Sequence, residues 1–417
     1  MKIQVNHIAK IEGHAGFIGE VINGNTQKAR FIVQEGARFL EGIMRERRYD
    51  EVSYICARIC GVCPVVHTLT SLKALEAAMN IKLSKSDQDL RKLLMLGQTI
   101  NSHALHLFFF SLADFFGIEE DLKLIKKYPE YANDALAIRE YGNKLIELIG
   151  GRSIHPLTPV VGGFSRFPNE KKLIDYIATE GIKMLEASMR IGKFFAGLNY
   201  PKLETNMNWA SLTSKNEYAI YEGDIKTSDK QKPVSEFMEF IKEFQVPENP
   251  QTKRSHIDQK PFLVGALARL NNNHEQLNSE AKKLFKKSGL KLPSQNPFHN
   301  ILAQVIEIVH CIEETQKIII AFLDHINVPA RITAKAGKGI AVIEAPRGTL
   351  YYYYEVGEDK LIKQCNIITP TAQNLARLEE DLKIWLPELS KLSPKEHEAK
   401  IRMLIRAYDP CLTCATH

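Results

Sequence analysis

The chain has 417 residues, of which 44% are hydrophobic and 25% are charged. These fractions match soluble globular proteins and exclude disordered and fibrous ones. The formal net charge of +6 is mild for this length, and the lysines and arginines form only short clusters typical of solvated helix faces, so nucleic acid is not expected as a partner. No segment approaches the ~18 apolar residues of a membrane span, and the N-terminus lacks the features of a secretion signal. We therefore predict a soluble protein with no membrane span of its own. Seven cysteines are few for a disulfide scaffold of this length, which favours reduced thiols and a cytoplasmic location.

The first third of the chain changes from a strand pattern to a helix pattern. Residues 1–35 alternate β-forming and polar residues around the turn Asn23–Gly24–Asn25, which predicts a small antiparallel β element. From Thr68 to Leu148 apolar residues recur at three- and four-residue spacing, most regularly over Asp87–Phe116, which predicts long helices.

The remaining elements alternate between helices and a second β region. A helix is predicted over Asn169–Leu198, whereas the polar segment Lys202–Pro261 is predicted to be an irregular surface subdomain. The further predicted helices are Asn273–Lys287, Pro297–Ile326, Thr371–Leu386 and Pro394–Ala407. The further predicted strands, which form a small sheet, are Arg331–Thr333, Gly339–Glu344, Thr349–Val356 and Lys360–Ile368.

These elements predict a mainly α (α+β) fold, with a core of long helices and small β elements near both ends. We treat 1–417 as one fold made of consecutive segments. The predicted segments are the N-terminal β element (1–66), a helical bundle (67–200), the surface subdomain (201–262), further helices (263–328), a small sheet (329–370) and C-terminal helices (371–417).

Four of the seven cysteines form two C-x-x-C pairs near opposite ends of the chain. They lie in Arg58-Ile-Cys60-Gly-Val-Cys63-Pro64 and Asp409-Pro410-Cys411-Leu-Thr-Cys414. Reduced thiolates are soft ligands for zinc, nickel, copper(I) or iron. A redox dithiol is disfavoured because neither pair lies in a thioredoxin-like βαβ pattern, and zinc ribbons usually keep both pairs within some tens of residues. Spacing alone leaves structural zinc and a catalytic metal both open.

The two cysteine motifs closely resemble the paired signatures of the large subunit of nickel–iron hydrogenases. Other stretches agree, in the same order along the chain: Lys10-Ile-Glu12-Gly-His14, Ser102-His-Ala-Leu-His106, Glu344-Ala-Pro-Arg347-Gly and Ile368-Thr-Pro370-Thr371. Within that family, the chain most resembles the cytoplasmic NAD(P)-linked and sulfhydrogenase-type enzymes. The resemblance implies reversible cleavage of dihydrogen, with the terminal loops meeting at a buried metal site.

The resemblance also assigns the cysteines to a Ni–Fe centre. By motif, Cys60 and Cys411 are terminal nickel ligands, and Cys63 and Cys414 bridge nickel to an iron that carries carbon monoxide and cyanide. Glu12 has the position of the proton relay beside the Cys411 thiolate. Without the resemblance, Glu12 would be interpreted as an ordinary glutamate of a β turn.

Further residues follow from the resemblance around this centre. Arg347, after Pro346, corresponds to the guanidinium above the open metal position, and Thr371 to a hydrogen-bond donor to cyanide. Asp114 and Asp409 match the carboxylates that hold this arginine. An aspartate in an apolar helix is costly unless it is paired, which makes a guanidinium partner for Asp114 reasonable.

The family also holds a magnesium ion near the C-terminus. Glu41 matches its carboxylate ligand, the backbone carbonyl of Ile367 a second ligand, and His417 a third. Because imidazole is an unusual ligand for Mg²⁺, iron or calcium is an alternative. Family precursors carry an extension after this histidine, so the sequence resembles the processed form.

The other histidines and cysteines are interpreted as structural. His103 and His106 are expected to be buried groups with partners in the core, and His67 to hydrogen-bond a sulfur or a cyanide. The remaining cysteines lack a partner at ligating spacing and are expected to be buried small side chains. They are Cys56, Cys311 and Cys365.

Nothing else in the sequence carries electrons. It has no further iron–sulfur spacing, no haem motif and no flavin or nucleotide site, since Gly337-Lys-Gly339 is too weak a signal. The resemblance therefore implies an iron–sulfur small subunit, with further diaphorase-like subunits and NAD(P) as the acceptor. Two other classes stay open: a metal-free electron-transfer subunit like those of respiratory complexes, which retention of all four cysteines disfavours, and a structural zinc protein.

Overall fold

The structure is a computed structural model that describes residues 1–322 and 332–416. It begins with an antiparallel sheet of three strands in sequence order, β1 (Lys2–Val5), β2 (Ala15–Ile22) and β3 (Asn25–Val33). The turn between β2 and β3 places Asn23 and Gly24 at positive φ, 51° and 74°, as tight hairpins require. The predicted N-terminal β element is confirmed.

Fifteen α-helices lie within the described ranges. They are α1 (Leu40–Met44), α2 (Tyr49–Cys56), α3 (Pro64–Met79), α4 (Lys85–Leu105), α5 (Leu112–Phe116), α6 (Asp121–Lys127), α7 (Pro129–Gly150), α8 (Glu170–Ala196), α9 (Phe237–Phe240), α10 (Ala266–Asn273), α11 (Ser279–Ser288), α12 (His299–Phe322), α13 (Pro370–Leu389), α14 (Pro394–Ala407) and α15 (Leu412–Ala415).

Four long helices form the core bundle. Helix α4 packs against α7 and α12, and α8 packs against the same two helices. Two glycines let α4 and α7 approach closely, because a Cβ on Gly142 would lie 2.5 Å from the carbonyl oxygen of Gly97. A π-helical turn, His106–Ser111, joins α4 to α5. The predicted fold class, a helical core with small sheets, is confirmed.

The remaining strands form small sheets. They are β4 (Pro159–Val160), β5 (Gly163–Phe164), β6 (Asn208–Thr213), β7 (Asp224–Thr227), β8 (Gln231–Lys232), β9 (Ile241–Val246), β10 (Asn249–Ile257), β11 (Phe262–Leu263), β12 (Gly337–Ala345), β13 (Gly348–Val356) and β14 (Ile362–Ile368). Strands β12, β13 and β14 form one antiparallel sheet in that order. This agrees with the predicted sheet, except that Ile332 and Thr333 lie outside any strand and Arg331 lies outside the described residues.

The segment Lys202–Pro261 differs from its prediction. It contains strands β6 to β10, of which β6 pairs with β11 and β10 packs against α13. Its polar residues are partly internal: the guanidinium of Arg254 is fully buried and donates to Glu379 at 2.8 Å. The prediction that this segment is irregular is wrong, because it forms five strands, and its buried, paired polar side chains resemble surface residues in sequence.

No helix in the described ranges is both long enough and apolar enough to cross a membrane.

Strand β12 lies directly on helix α3, which starts immediately after Cys63. A Cβ on Gly339 would lie 2.1 Å from the carbonyl oxygen of Ala74 and 2.2 Å from the amide nitrogen of Ala78. We expect Gly339→Ala to destabilise the protein by at least about 1–3 kcal/mol, because backbone atoms must move to admit the methyl group. Chemical denaturation measures this change. Gly36→Ala is the control, since its Cβ would meet nothing within 4 Å, and an equal loss in both variants would contradict the close packing.

Candidate metal centre

The four cysteines of the C-x-x-C pairs meet in the interior. Cys60 and Cys63 lie in the loop between α2 and α3, whereas Cys411 and Cys414 lie at and within the short helix α15. The Sγ atoms of Cys60 and Cys411 are 3.3 Å apart, and those of Cys63 and Cys414 are 3.2 Å apart. All four sulfurs lie within 4.8 Å of one another and all four residues are buried. The predicted meeting of the two terminal loops is confirmed.

This sulfur cluster has the donor set of a soft-metal site. The cysteines are free rather than disulfide-bonded. Burial raises the pKa of the Cys411 and Cys414 thiols well above the ordinary value. Four thiols crowded in a dry interior ionise together only when a cation compensates their charge, and thiolates favour nickel, iron, zinc or copper(I) as that cation.

Glu12 holds the two ends of the chain together. Its backbone forms a parallel bridge with Cys411, and its carbonyl oxygen accepts from the amide of Leu412 at 3.1 Å. Its carboxylate accepts from the backbone amide of Thr413 at 3.0 Å and from the Thr413 hydroxyl at 2.6 Å. A Cβ on Gly13 would lie 2.8 Å from Leu412 Cβ, so only glycine permits this approach. Glu12 thus caps the helix that carries Cys414, next to the metal site.

A small cavity lies beside the cysteines. Most of its walls are apolar, and its polar groups besides sulfur come from three side chains. The lining residues are Cys63, Val66, His67, Ala345, Pro346, Arg347, Leu350, Pro370, Thr371, Cys411 and Cys414. The hydroxyl oxygen of Thr371 accepts from the Cys411 amide at 3.0 Å, which leaves its own proton to be donated. The cavity therefore offers hydrogen-bond donors, in otherwise apolar walls, to a small group beside the sulfurs.

Arg347 is held at this cavity by the carboxylate and the backbone carbonyl oxygen of Asp409 and by one hydroxyl, and its Nε donates to that carbonyl at 2.8 Å. Its Nε and Nη2 atoms donate to Asp409 Oδ1 at 3.1 and 2.8 Å, and its Nη1 atom lies 3.3 Å from the hydroxyl of Ser102. The pairing of Arg347 with Asp409 agrees with the prediction, but that with Asp114 is wrong. Asp114 forms an ion pair with Arg406 instead, because it lies beyond the π-helical turn, twelve residues after Ser102.

Burial raises the pKa of Asp114 to about 6, against the opposing effect of Arg406. Asp114 is one of the residues beside a surface groove that Lys10 and Arg406 also line. Asp114 therefore lies just beneath the surface, paired with Arg406, and outside the metal centre.

His67 contacts the sulfur cluster directly. Its Nε2 atom lies 3.4 Å from Cys414 Sγ, and its Nδ1 atom lies 2.8 Å from the hydroxyl of Tyr352. With the proton on Nε2, His67 donates to the sulfur while Tyr352 donates to Nδ1 and fixes that tautomer. The expected contact between His67 and a sulfur is confirmed.

His103 and His106 have partners in the core, as expected. His103 Nε2 lies 2.8 Å from Glu307, and His106 lies between Gln304, at 2.5 Å, and the carbonyl oxygen of Arg406, at 2.7 Å. Sequence reasoning missed Gln304, whose amide donates to Asp409 at 3.2 Å. No sequence motif contains Gln304. Ser102 does lie in one of the stretches that resemble the family, Ser102-His-Ala-Leu-His106, so its role could have been predicted.

The residues matched to a cation site are only partly described. Glu41 accepts from the backbone amide of Ile367 at 2.8 Å, and the ammonium of Lys253 lies 3.3 Å from Glu41 and 3.2 Å from Glu243. His417 lies outside the described residues. Glu41 and Ile367 are thus in contact, and the carboxylates of Glu41 and Glu243 both lie beside the ammonium group of Lys253.

Comparisons with known proteins agree with this site. The family model described as nickel-dependent hydrogenase matches residues 38–134 and 203–417. The chain is 34% identical to the alpha chain of sulfhydrogenase 1 from Pyrococcus furiosus, with 100% of this chain and 98% of the relative covered. It is 31% identical to the alpha chain of sulfhydrogenase 2 from the same organism, over 100% of this chain and 99% of the relative.

Solved structures with the same fold cover the whole chain. An NAD⁺-reducing [NiFe]-hydrogenase in its H2-reduced state has a TM-score of 0.84 and 25% identity, with 100% of this chain and 99% of that chain covered. The [NiFeSe]-hydrogenase of Dm. baculatum shares the fold, with a TM-score of 0.81 and 21% identity over 100% of both chains. The family match, these relatives and the four buried cysteines lead to one conclusion: the chain belongs to the nickel-dependent hydrogenases and is their large subunit.

Proposed function

We propose that this chain is the catalytic subunit of a nickel–iron hydrogenase that splits dihydrogen reversibly and heterolytically into protons and electrons. The observation that carries the proposal is the cluster of four buried cysteine sulfurs, within 4.8 Å of one another, beside a cavity that Arg347 enters. When bound, the metal pair polarises dihydrogen and takes up its electrons.

Three of the four cysteines, Cys63, Cys411 and Cys414, line the cavity, whereas Cys60 does not. The assignment within the cluster follows the two C-x-x-C motifs: Cys60 and Cys411 would be terminal nickel ligands, and Cys63 and Cys414 would be shared with an iron. The apolar cavity would hold the small carbon monoxide and cyanide ligands of that iron.

Arg347 and Thr371 supply hydrogen-bond donors to this cavity. Arg347 is fixed by Asp409, so its guanidinium presents a positive charge at a defined position without reorganising. Thr371 directs its hydroxyl proton away from the Cys411 amide, and Pro346 closes the wall beside Arg347. These groups would orient the cyanide ligands and stabilise their negative charge.

Glu12 is the proposed proton relay. Its backbone pairs with Cys411, and its carboxylate is oriented by two hydrogen bonds from Thr413. A carboxylate oxygen held at this point can accept a proton that leaves the Cys411 sulfur and pass it towards the surface.

A second cation would bind near the C-terminus. Glu41, the carbonyl of Ile367 and His417 would hold Mg²⁺, or iron or calcium in its place. The support is that the Glu41 carboxylate already lies against the backbone of Ile367, whose amide donates to it at 2.8 Å.

Electrons leave through other subunits in this proposal. The relatives in Pyrococcus furiosus are named as the alpha chains of sulfhydrogenases, and one solved relative reduces NAD⁺. We infer that the direct partner is an iron–sulfur small subunit, with diaphorase-like subunits beyond it. The soluble electron acceptor is then NAD(P), and the complex is cytoplasmic. Nucleic acid is not among the proposed partners.

Elemental analysis of the purified complex, combined with infrared spectroscopy, tests the proposal. We expect absorption bands of carbon monoxide and cyanide between the amide and C–H stretching regions, together with one nickel per large subunit. Dihydrogen-dependent dye reduction should accompany them. Zinc as the bound metal, or nickel without the diatomic bands, would contradict the proposed centre.

A further inference from the structure

Arg347 stands at the tip of a tight hairpin. Strands β12 and β13 pair Ala345 with Gly348, so Pro346 and Arg347 form a two-residue turn. Gly348 has a φ of +135°, and a Cβ there would lie 2.4 Å from Val264 Cγ2. The turn is therefore pressed against the segment that leads into helix α10, and its shape sets the direction of the Arg347 side chain.

A second arginine, Arg269 of α10, binds the backbone of this turn. Its Nη1 atom donates to the carbonyl oxygen of Ala345 at 2.9 Å, and its Nη2 atom donates to the carbonyl oxygen of Pro346 at 2.9 Å. Arg269 is only 2% exposed. Buried carbonyl groups need a donor, and one planar guanidinium satisfies two consecutive ones here.

Arg269 is itself fixed from two sides. Glu307 of α12 accepts from its Nε at 2.6 Å and from its Nη2 at 2.7 Å, and Glu344 of β12 accepts from its Nη1 at 2.9 Å. His103 and Tyr218 contact the same Glu307 carboxylate, at 2.8 and 2.7 Å. The guanidinium thus has carboxylates on its outer edge and the turn carbonyls on its inner edge, so it has little freedom to rotate.

We infer that Arg269 is a positioning residue for dihydrogen cleavage: it clamps the Ala345 and Pro346 carbonyls and thereby sets the direction in which Arg347 enters the cavity beside the cysteines. The inference rests on the proposed function of Arg347. Arg269 lines neither the cavity nor the sulfur cluster. It acts through the backbone of the turn, whereas Asp409 acts on the guanidinium of Arg347.

The test compares three variants in the purified, metal-loaded complex. Arg269→Lys removes the fork that binds both carbonyls, and Arg347→Lys is the benchmark. Arg254→Lys is the matched control, because Arg254 is also fully buried and donates to Glu379 and to the carbonyl oxygen of Phe31, none of which lines the cavity. The readouts are nickel content, kcat and KM for dihydrogen, the infrared bands and amide hydrogen exchange of the 340–352 segment.

We expect Arg269→Lys to keep nickel, to lower kcat by about 10- to 100-fold because Arg347 is misdirected, and to change KM little. Its diatomic bands should shift in the same direction as those of Arg347→Lys, and exchange in the 340–352 segment should rise even in metal-free protein. Arg254→Lys should change none of these readouts. Glu344→Gln, which weakens one contact of Arg269, should show the same shifts in smaller degree and gives an answer if Arg269→Lys folds poorly.

Unshifted bands and unchanged exchange in both Arg269→Lys and Glu344→Gln would overturn the inference. So would changes no larger than those of Arg254→Lys. If Arg347→Lys itself left kcat and the bands unchanged, the proposed role of Arg347 would be wrong and the inference would fall with it. If only Arg347→Lys were impaired, the inference alone would fail.

Discussion

Replacing Cys411 by serine should remove stable nickel binding and lower dihydrogen-dependent dye reduction by more than about 100-fold. Loss of an outer hydrogen-bond partner of a metal ligand already costs about 10- to 100-fold, and loss of the ligand itself costs more. A serine oxygen is harder than a thiolate and suits nickel poorly. Nickel content by mass spectrometry and the initial rate of dye reduction measure the two effects in the same preparation.

The matched control is Cys311→Ser. Cys311 is also buried, at 1% exposure, but lies on α12 and is absent from the sulfur cluster. Its variant should keep nickel and activity close to the wild-type values. A Cys411→Ser protein with full nickel content, or two variants impaired to the same degree, would show that the four-sulfur cluster is not the nickel site.

The meeting of the four cysteines could be predicted from sequence, but the metal could not. Soft ligands in two C-x-x-C pairs indicate a metal, and the same spacing suits zinc as well as nickel. Nickel was predicted only because several short motifs, around Glu12, Cys60, Arg347 and Cys411, resemble those of nickel–iron hydrogenases. The family match now supports that identification over most of the chain.

The partner of Arg347 shows where motif reasoning reached its limit. Asp114 has the expected chemistry, since it is a carboxylate in an apolar helix that needs a cation. In the structure the cation beside Asp114 is Arg406, and the hydroxyl of Ser102 is the group that contacts Arg347. A π-helical turn between the two residues changes which side chains face the metal centre, and hydrophobic periodicity does not reveal such a turn.

The prediction of irregular structure for the segment 202–261 was wrong for a different reason. Pattern reasoning treats charged and amide residues as exposed, and Asn249 and Arg254 are both fully buried. Asn249 exchanges hydrogen bonds with the backbone of Val33, and Arg254 pairs with Glu379. These partners are more than 100 residues away in sequence, so no local signal could identify them.

Replacing Glu12 by glutamine should separate its two roles. If Glu12 relays protons, Glu12→Gln should keep nickel and the infrared bands but lower the rate of dihydrogen oxidation by about 10²- to 10⁴-fold, the usual range for loss of a general acid–base group. The glutamine amide keeps one acceptor for Thr413, so the cap of α15 is weakened and not removed. Dye reduction, nickel analysis and the infrared spectrum are measured on one sample.

Thr413→Val is the control for the structural role. It removes the hydroxyl that donates to Glu12 at 2.6 Å and leaves the carboxyl group in place. A relay predicts a large loss in Glu12→Gln and a small one in Thr413→Val. Equal losses of nickel and activity in the two variants would instead mean that Glu12 serves only to hold the C-terminal cysteines, and the proton would then have to leave by another group.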